Sequence, residues 1–95
     1  MLFHGTADRC VANIIAEGLS MQFACPGRLG AGLYGAPDPR KAKTYTSGST
    51  GSFLFLGRYN TDPDKCRKGN WGYDEYAVAD ETSVIMLWLL KVADA

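Results

Sequence analysis

The sequence predicts a small α+β domain, and three observations predict it. Short apolar runs bounded by glycine and polar turn residues stand at Met1–Phe3, Phe53–Leu56 and Val84–Val92 and read as strands. Two compact helical patterns, around Val11–Ile15 and after Asp38-Pro39, lie between them. A glycine-rich stretch, Gly30-Ala31-Gly32-Leu33-Tyr34-Gly35-Ala36, separates the two helical patterns, and the rest of the chain is organised around it.

The 95 residues suffice for one domain, spanning 1–95, near the small end of what folds without staples. Apolar residues at 46% and charged residues at 21% are ordinary for a globular protein. Ten basic and ten acidic side chains cancel, with a pI near 6.5. That balance argues against a general electrostatic grip on DNA or RNA, but a nucleotide ligand needs only a few local contacts. Cys10, Cys25 and Cys66 are odd in number and scattered, with no C-x-x-C pair for zinc, so no metal is expected. Together with the lack of a signal-peptide pattern at the start, they favour an intracellular setting, cytoplasmic or nuclear. No apolar run reaches the ~18 residues of a membrane span, so no membrane partner is expected.

In chain order, Met1 to Phe3 begin a strand that ends at His4-Gly5-Thr6. The Thr6 hydroxyl is suited to cap a following helix, in which Val11, Ile14 and Ile15 recur at helical spacing and Gly18 is the stop. Leu19 to Leu29 reads as irregular, broken by Pro26-Gly27. Asp38 caps a second helix with Pro39 at its first position, running from Arg40 to about Tyr45. Thr46 to Ser52 is a loop, and Phe53-Leu54-Phe55-Leu56 a strand continuing towards Tyr59. Asn60 to Gly72 reads as a long polar loop with a basic cluster at Lys65, Arg67 and Lys68. Tyr73 to Val78 is a strand, Asp80-Glu81-Thr82 a turn, and Val84 to Val92 a buried central strand, with a buried helix as the alternative.

Gly30, Gly32 and Gly35 fit the literal pattern G-x-G-x-x-G, which suggests a dinucleotide-binding turn. The context rejects it. Pro37 and Pro39 prevent a helix from opening on Gly35, and about 20 positions further on stands Phe55 rather than an acidic residue. What remains is small-residue backbone leading to a tyrosine, against which a flat ligand can come close.

Singly, His4, Tyr34, Tyr45 and Glu75 are compatible with ordinary structural roles, as a strand-end histidine, rim tyrosines and a solvated carboxylate. In order, they carry a resemblance. His4-Gly5-Thr6, then Gly30-Ala31-Gly32-Leu33-Tyr34, then Lys41-Ala42-Lys43-Thr44-Tyr45, then Glu75-Tyr76-Ala77-Val78 is similar to the catalytic domain of the poly(ADP-ribose) polymerase (PARP) family, from His4 to the last apolar strand. The resemblance implies a split, strongly bent antiparallel sheet with two short helices, the ADP-ribosyltransferase fold, and a cleft for NAD as co-substrate.

It also implies roles. His4, Tyr34 and Glu75 would form the catalytic triad. Glu75 would hold the ribose hydroxyls and stabilise the oxocarbenium character that develops as nicotinamide leaves. His4 would clamp a ribose hydroxyl. Tyr45 would stack on the cationic nicotinamide ring, with Tyr34 and Gly32 lining the pocket. The Gly5 backbone would bond the carboxamide, and Thr6 would reach the ribose or the adenosine end.

Two positions depart from the family. Ala42 stands where a serine usually bonds the carboxamide, a loss of about 0.5–1.5 kcal/mol for one neutral hydrogen bond. Gly35 replaces a bulky aromatic, which predicts a looser pocket floor. The short chain favours transfer of single ADP-ribose units over polymer. The acceptor, protein or nucleic acid, is open, and so is the oligomeric state, with a monomer the simplest arrangement. The alternatives are an NAD glycohydrolase or cyclase, a non-catalytic NAD or ADP-ribose binding module, and, ranked lowest, an RNA 2′-phosphotransferase.

Overall fold

The computed structural model describes residues 1–45 and 53–91, which form two antiparallel sheets and few helices in an α+β arrangement. The elements run β1 (Leu2–Gly5), a 3-10 turn at Asp8–Cys10, α1 (Val11–Glu17), a 3-10 turn at Met21–Phe23, β2 (Cys25–Gly27), β3 (Gly30–Gly35) and α2 (Pro39–Lys43). They continue with β4 (Phe53–Tyr59), β5 (Cys66–Asn70), β6 (Asp74–Val78), a 3-10 turn at Glu81–Ser83 and β7 (Val84–Lys91). One sheet has the order β1-β4-β7 and the other β2-β3-β6-β5.

Among the described residues a single bridge joins the sheets. Phe3 and Ala36 exchange both backbone hydrogen bonds, at 2.8 and 2.9 Å. The seam therefore falls beside His4 on one strand and just after Tyr34 and Gly35 on the other. Leu2, Ile14, Leu19, Leu33, Phe55, Tyr59, Val78 and Val84 pack together as the main core.

Local signals account for much of this. The Asp38 side chain accepts from the Arg40 amide at 2.9 Å with Pro39 at the first helical position, as the sequence predicts for α2. Gly18 ends α1 at φ 79°, a conformation open to glycine and strained for other residues. Among the described residues, none of the helices is long and apolar enough to cross a membrane.

Five readings of the sequence are corrected. Thr6 caps no helix: the residue at the start of the 3-10 turn is Ala7 and that at the start of α1 is Cys10, neither with a side-chain cap. Within α1 only Ile14 is buried, and Ile15 is 63% exposed because α1 lays a single narrow face on the core. The stretch Leu19–Leu29 contains β2, and the presumed loop Asn60–Gly72 contains β5; both are strands by virtue of their pairing with β3 and β6. The apolar β7 is an edge strand rather than a central one, and Ile85, Leu87, Trp88 and Leu89 are exposed. A continuous apolar run therefore fixes neither the burial of a strand nor its place in the sheet. The loop read at Thr46–Ser52 lies outside the described residues.

Candidate active site

Each site residue is delivered by backbone pairing near the seam. β1 carries His4 opposite Phe55 and Gly5 opposite Leu54 on β4. β3 pairs with β6 so that Tyr34 faces Ala77 and Gly35 faces Tyr76, which puts Glu75 one residue further along, beside the end of β3. α2 packs against β1 and supplies Lys41, the buried Ala42 and, in the turn that follows it, Tyr45.

His4 is buried, and its Nδ1 lies 2.8 Å from the Tyr34 carbonyl oxygen. A carbonyl only accepts, so Nδ1 carries the proton. Burial pushes the imidazole pKa below its ordinary value, and the bond to Tyr34 opposes this only in part. At neutral pH the ring is therefore the neutral Nδ1–H tautomer, with a free lone pair on Nε2. That Nε2 is fully buried and finds no hydrogen-bond partner among the described residues. A buried, unanswered acceptor is destabilising by about 1–3 kcal/mol, and a hydroxyl donor brought there would recover it.

Tyr34 contributes more through its backbone than through its phenol. Its carbonyl also accepts from the Tyr59 hydroxyl at 2.8 Å. The Tyr34 hydroxyl is spanned by a loop, donating to the Gly30 carbonyl at 2.6 Å and accepting from the Leu29 amide at 2.9 Å. At 3% exposure the ring is a fixed wall. It fits only because residue 27 is glycine: a Cβ there would lie 2.6 Å from the Tyr34 ring.

Glu75 is 2% exposed, yet both carboxylate oxygens are engaged. Oε1 accepts from the Tyr45 hydroxyl at 2.5 Å, and Oε2 lies 3.1 Å from Lys41 Nζ. Burying a carboxyl group at this depth is costly unless its oxygens are paired, and both of them are. The Tyr45 ring rests 5.9 Å from that of Tyr34, tilted by 40°, and Lys41 Nζ stands 5.6 Å from the Tyr45 ring centre. His4, Tyr34, Tyr45 and Glu75 thus form one continuous set of contacts.

The remaining candidates divide. Gly5 is buried within β1, Thr6 follows it half-buried, and Gly32 is buried within β3, its Cα faced by Arg67 and the Val78 carbonyl. Ala42 is 2% exposed, a site where a methyl leaves no hydroxyl to satisfy. The looser floor expected at Gly35 is not found. A Cβ there would stand 2.7 Å from the Tyr59 ring and 3.0 Å from Leu2 Cβ, so Tyr59 fills the space.

Two residues escaped the sequence reading. Lys41 reads as one of two lysines on the second helix, although it stands four positions before Tyr45. Tyr59 stood at the uncertain end of a strand, and nothing local marks its hydroxyl as a prop for Tyr34. No family model matches this chain, and no curated protein matches it.

Proposed function

We propose that this domain is an NAD-dependent ADP-ribosyltransferase of the PARP-like, His-Tyr-Glu type, with the split-sheet fold of that class, transferring single ADP-ribose units to an acceptor. The observation that carries the reading is Glu75, a buried carboxyl group with both oxygens paired, to Tyr45 and to Lys41, beside an aromatic wall. A structural role gives little reason to bury a charge at this depth, because apolar replacements of buried ion pairs are often as stable.

In the proposed reaction the bond between ribose C1′ and the nicotinamide nitrogen breaks, and its electron pair leaves with neutral nicotinamide. An acceptor oxygen bonds to C1′, and its proton passes to Glu75 or solvent. Glu75 opposes the positive charge on the ribose in a site with little water, where electrostatic stabilisation is strongest. The His4 Nε2 lone pair accepts a ribose hydroxyl, and Tyr34 and Tyr45 supply the aromatic surface for nicotinamide. Water as the acceptor gives the glycohydrolase alternative with the same residues.

The test is incubation with NAD, resolving nicotinamide, free ADP-ribose, cyclic product and modified protein. Nicotinamide release is expected, falling at least ~100-fold in Glu75→Gln. NAD binding without release would leave the binding-module reading, and release undiminished in Glu75→Gln would remove Glu75 from the chemistry.

A further inference from the structure

The contacts around Tyr45 have a consequence for how the site admits its ligand. A planar ring held between two aromatic faces needs about 7 Å between them, two van der Waals thicknesses. Tyr34 and Tyr45 stand 5.9 Å apart at a 40° tilt, so no ring fits between them. Lys41 Nζ occupies the neighbourhood of the Tyr45 ring at 5.6 Å, a poor place for a cationic nicotinamide. Tyr34 cannot yield, because its hydroxyl is bonded to both Gly30 and Leu29. Tyr45 can: it is half-buried where Tyr34 is buried, and its backbone amide is anchored to Ala42 at 3.1 Å, so its ring turns outward without moving the chain.

We infer that Tyr45 is a ligand-displaced plug: in the free protein it closes the space against Tyr34 and bonds Glu75, and NAD enters by turning the ring aside and taking over its bond to Glu75. This rests on the site being an NAD site. The exchange has a chemical condition. When the Tyr45 hydroxyl leaves, Glu75 Oε1 loses its donor, and a ring alone does not replace it. A ligand with ribose hydroxyls does. Once Tyr45 has left, Glu75 therefore favours a nicotinamide nucleotide over free nicotinamide, and Tyr45 drives off the nicotinamide product as it returns to Glu75.

The closed state also lowers the apparent affinity of every ligand of this position, since only the open fraction binds. Tyr45→Phe keeps the ring and removes the hydrogen bond to the carboxylate, so the open fraction rises. The experiment is calorimetric titration of the wild-type domain and Tyr45→Phe with NAD and, separately, with nicotinamide. Both ligands are expected to bind Tyr45→Phe about ten-fold more tightly, by the same factor. Equal or weaker binding to Tyr45→Phe would overturn the plug while leaving the NAD site intact. Binding of neither ligand to either protein would overturn the NAD site, and the plug with it. As a second readout, the Tyr45 ring-carbon resonance of the wild-type protein should shift on saturation with NAD, and an unmoved resonance would also overturn the plug.

Discussion

His4 and Tyr34 are coupled through a backbone carbonyl rather than through the phenol. Nδ1 of His4 donates to the Tyr34 carbonyl, which Tyr59 also holds, so the imidazole is oriented by β3 itself and keeps its tautomer whatever happens to the Tyr34 ring. The coupling fixes Nε2 as an acceptor at neutral pH, and the same burial makes the protein sensitive to acid.

His4 has its pKa lowered in the fold, so the unfolded chain binds the proton more readily than the native one. Stability from this residue is fully present above the unfolded value near 6.5 and is lost as pH falls from there towards the folded pKa. One proton gives a slope of at most about 1.4 kcal/mol per pH unit. The chain contains one histidine. Urea unfolding at intervals from pH 7.5 to 5 should therefore show a decline that disappears in His4→Gln. A decline of the same steepness in the variant would mean that other groups cause it.

Lys41 and Glu75 form an unequal pair, with side-chain exposures of 21% and 3%. Removing the lysine leaves the buried Glu75 carboxyl, among the described residues, with the Tyr45 hydroxyl alone, whereas Glu75→Gln leaves a lysine that reaches water. Lys41→Met should cost about 3 kcal/mol or more, and Glu75→Gln distinctly less. Chemical denaturation of both variants checks the order. Equal losses would mean that the ion pair is solvated in solution.

The same pair shows what a sequence discloses about a site. His4, Tyr34, Tyr45 and Glu75 stand in motif-like surroundings, and the structure brings all four into one set of contacts. Lys41 does not stand out, because an exposed helix lysine is the commonest solvated residue and its partner lies on a strand far along the chain. The fold divides in the same way. α2 was legible from Asp38-Pro39 and β4 from Phe53–Leu56, since cap and apolar run act locally. β5, with the sequence Cys-Arg-Lys-Gly-Asn, has almost no strand propensity of its own and exists through its ladder with β6.

β7 offers a test of burial against pattern. Its apolar residues look like core, yet Ile85 is 61% and Leu87 42% exposed, while Leu33 on β3 is completely buried. Leu33→Ala should cost about 2–5 kcal/mol through lost transfer energy and the cavity left behind. Ile85→Thr and Leu87→Thr should each stay within about 0.5 kcal/mol. Thermal or urea unfolding of the three variants decides it. A loss of 2 kcal/mol at Leu87 would show that β7 is covered in solution.

Gly35 gives a prediction on which site and fold meet. The residue lies between Tyr34 and the Ala36 bridge, and Tyr59 packs into the volume that its side chain would occupy. Tyr59 is buried and props the Tyr34 carbonyl, and burial raises its phenol pKa well beyond the ordinary range, so the hydroxyl stays protonated and keeps donating. Gly35→Ala forces its methyl against the Tyr59 ring and the Leu2 side chain, neither of which has room to withdraw in a packed core. The expected loss is about 1–3 kcal/mol, the range of an overpacked core. The strain should also travel through Tyr59 to the carbonyl that orients His4. Gly35→Ala should therefore change the imidazole's NMR-detected tautomer ratio or titration, whereas Ile85→Thr, on the exposed edge, should not. A stable Gly35→Ala protein with an unchanged His4 spectrum would mean that Tyr59 is free to move, and that the Tyr34 carbonyl is held by β3 alone.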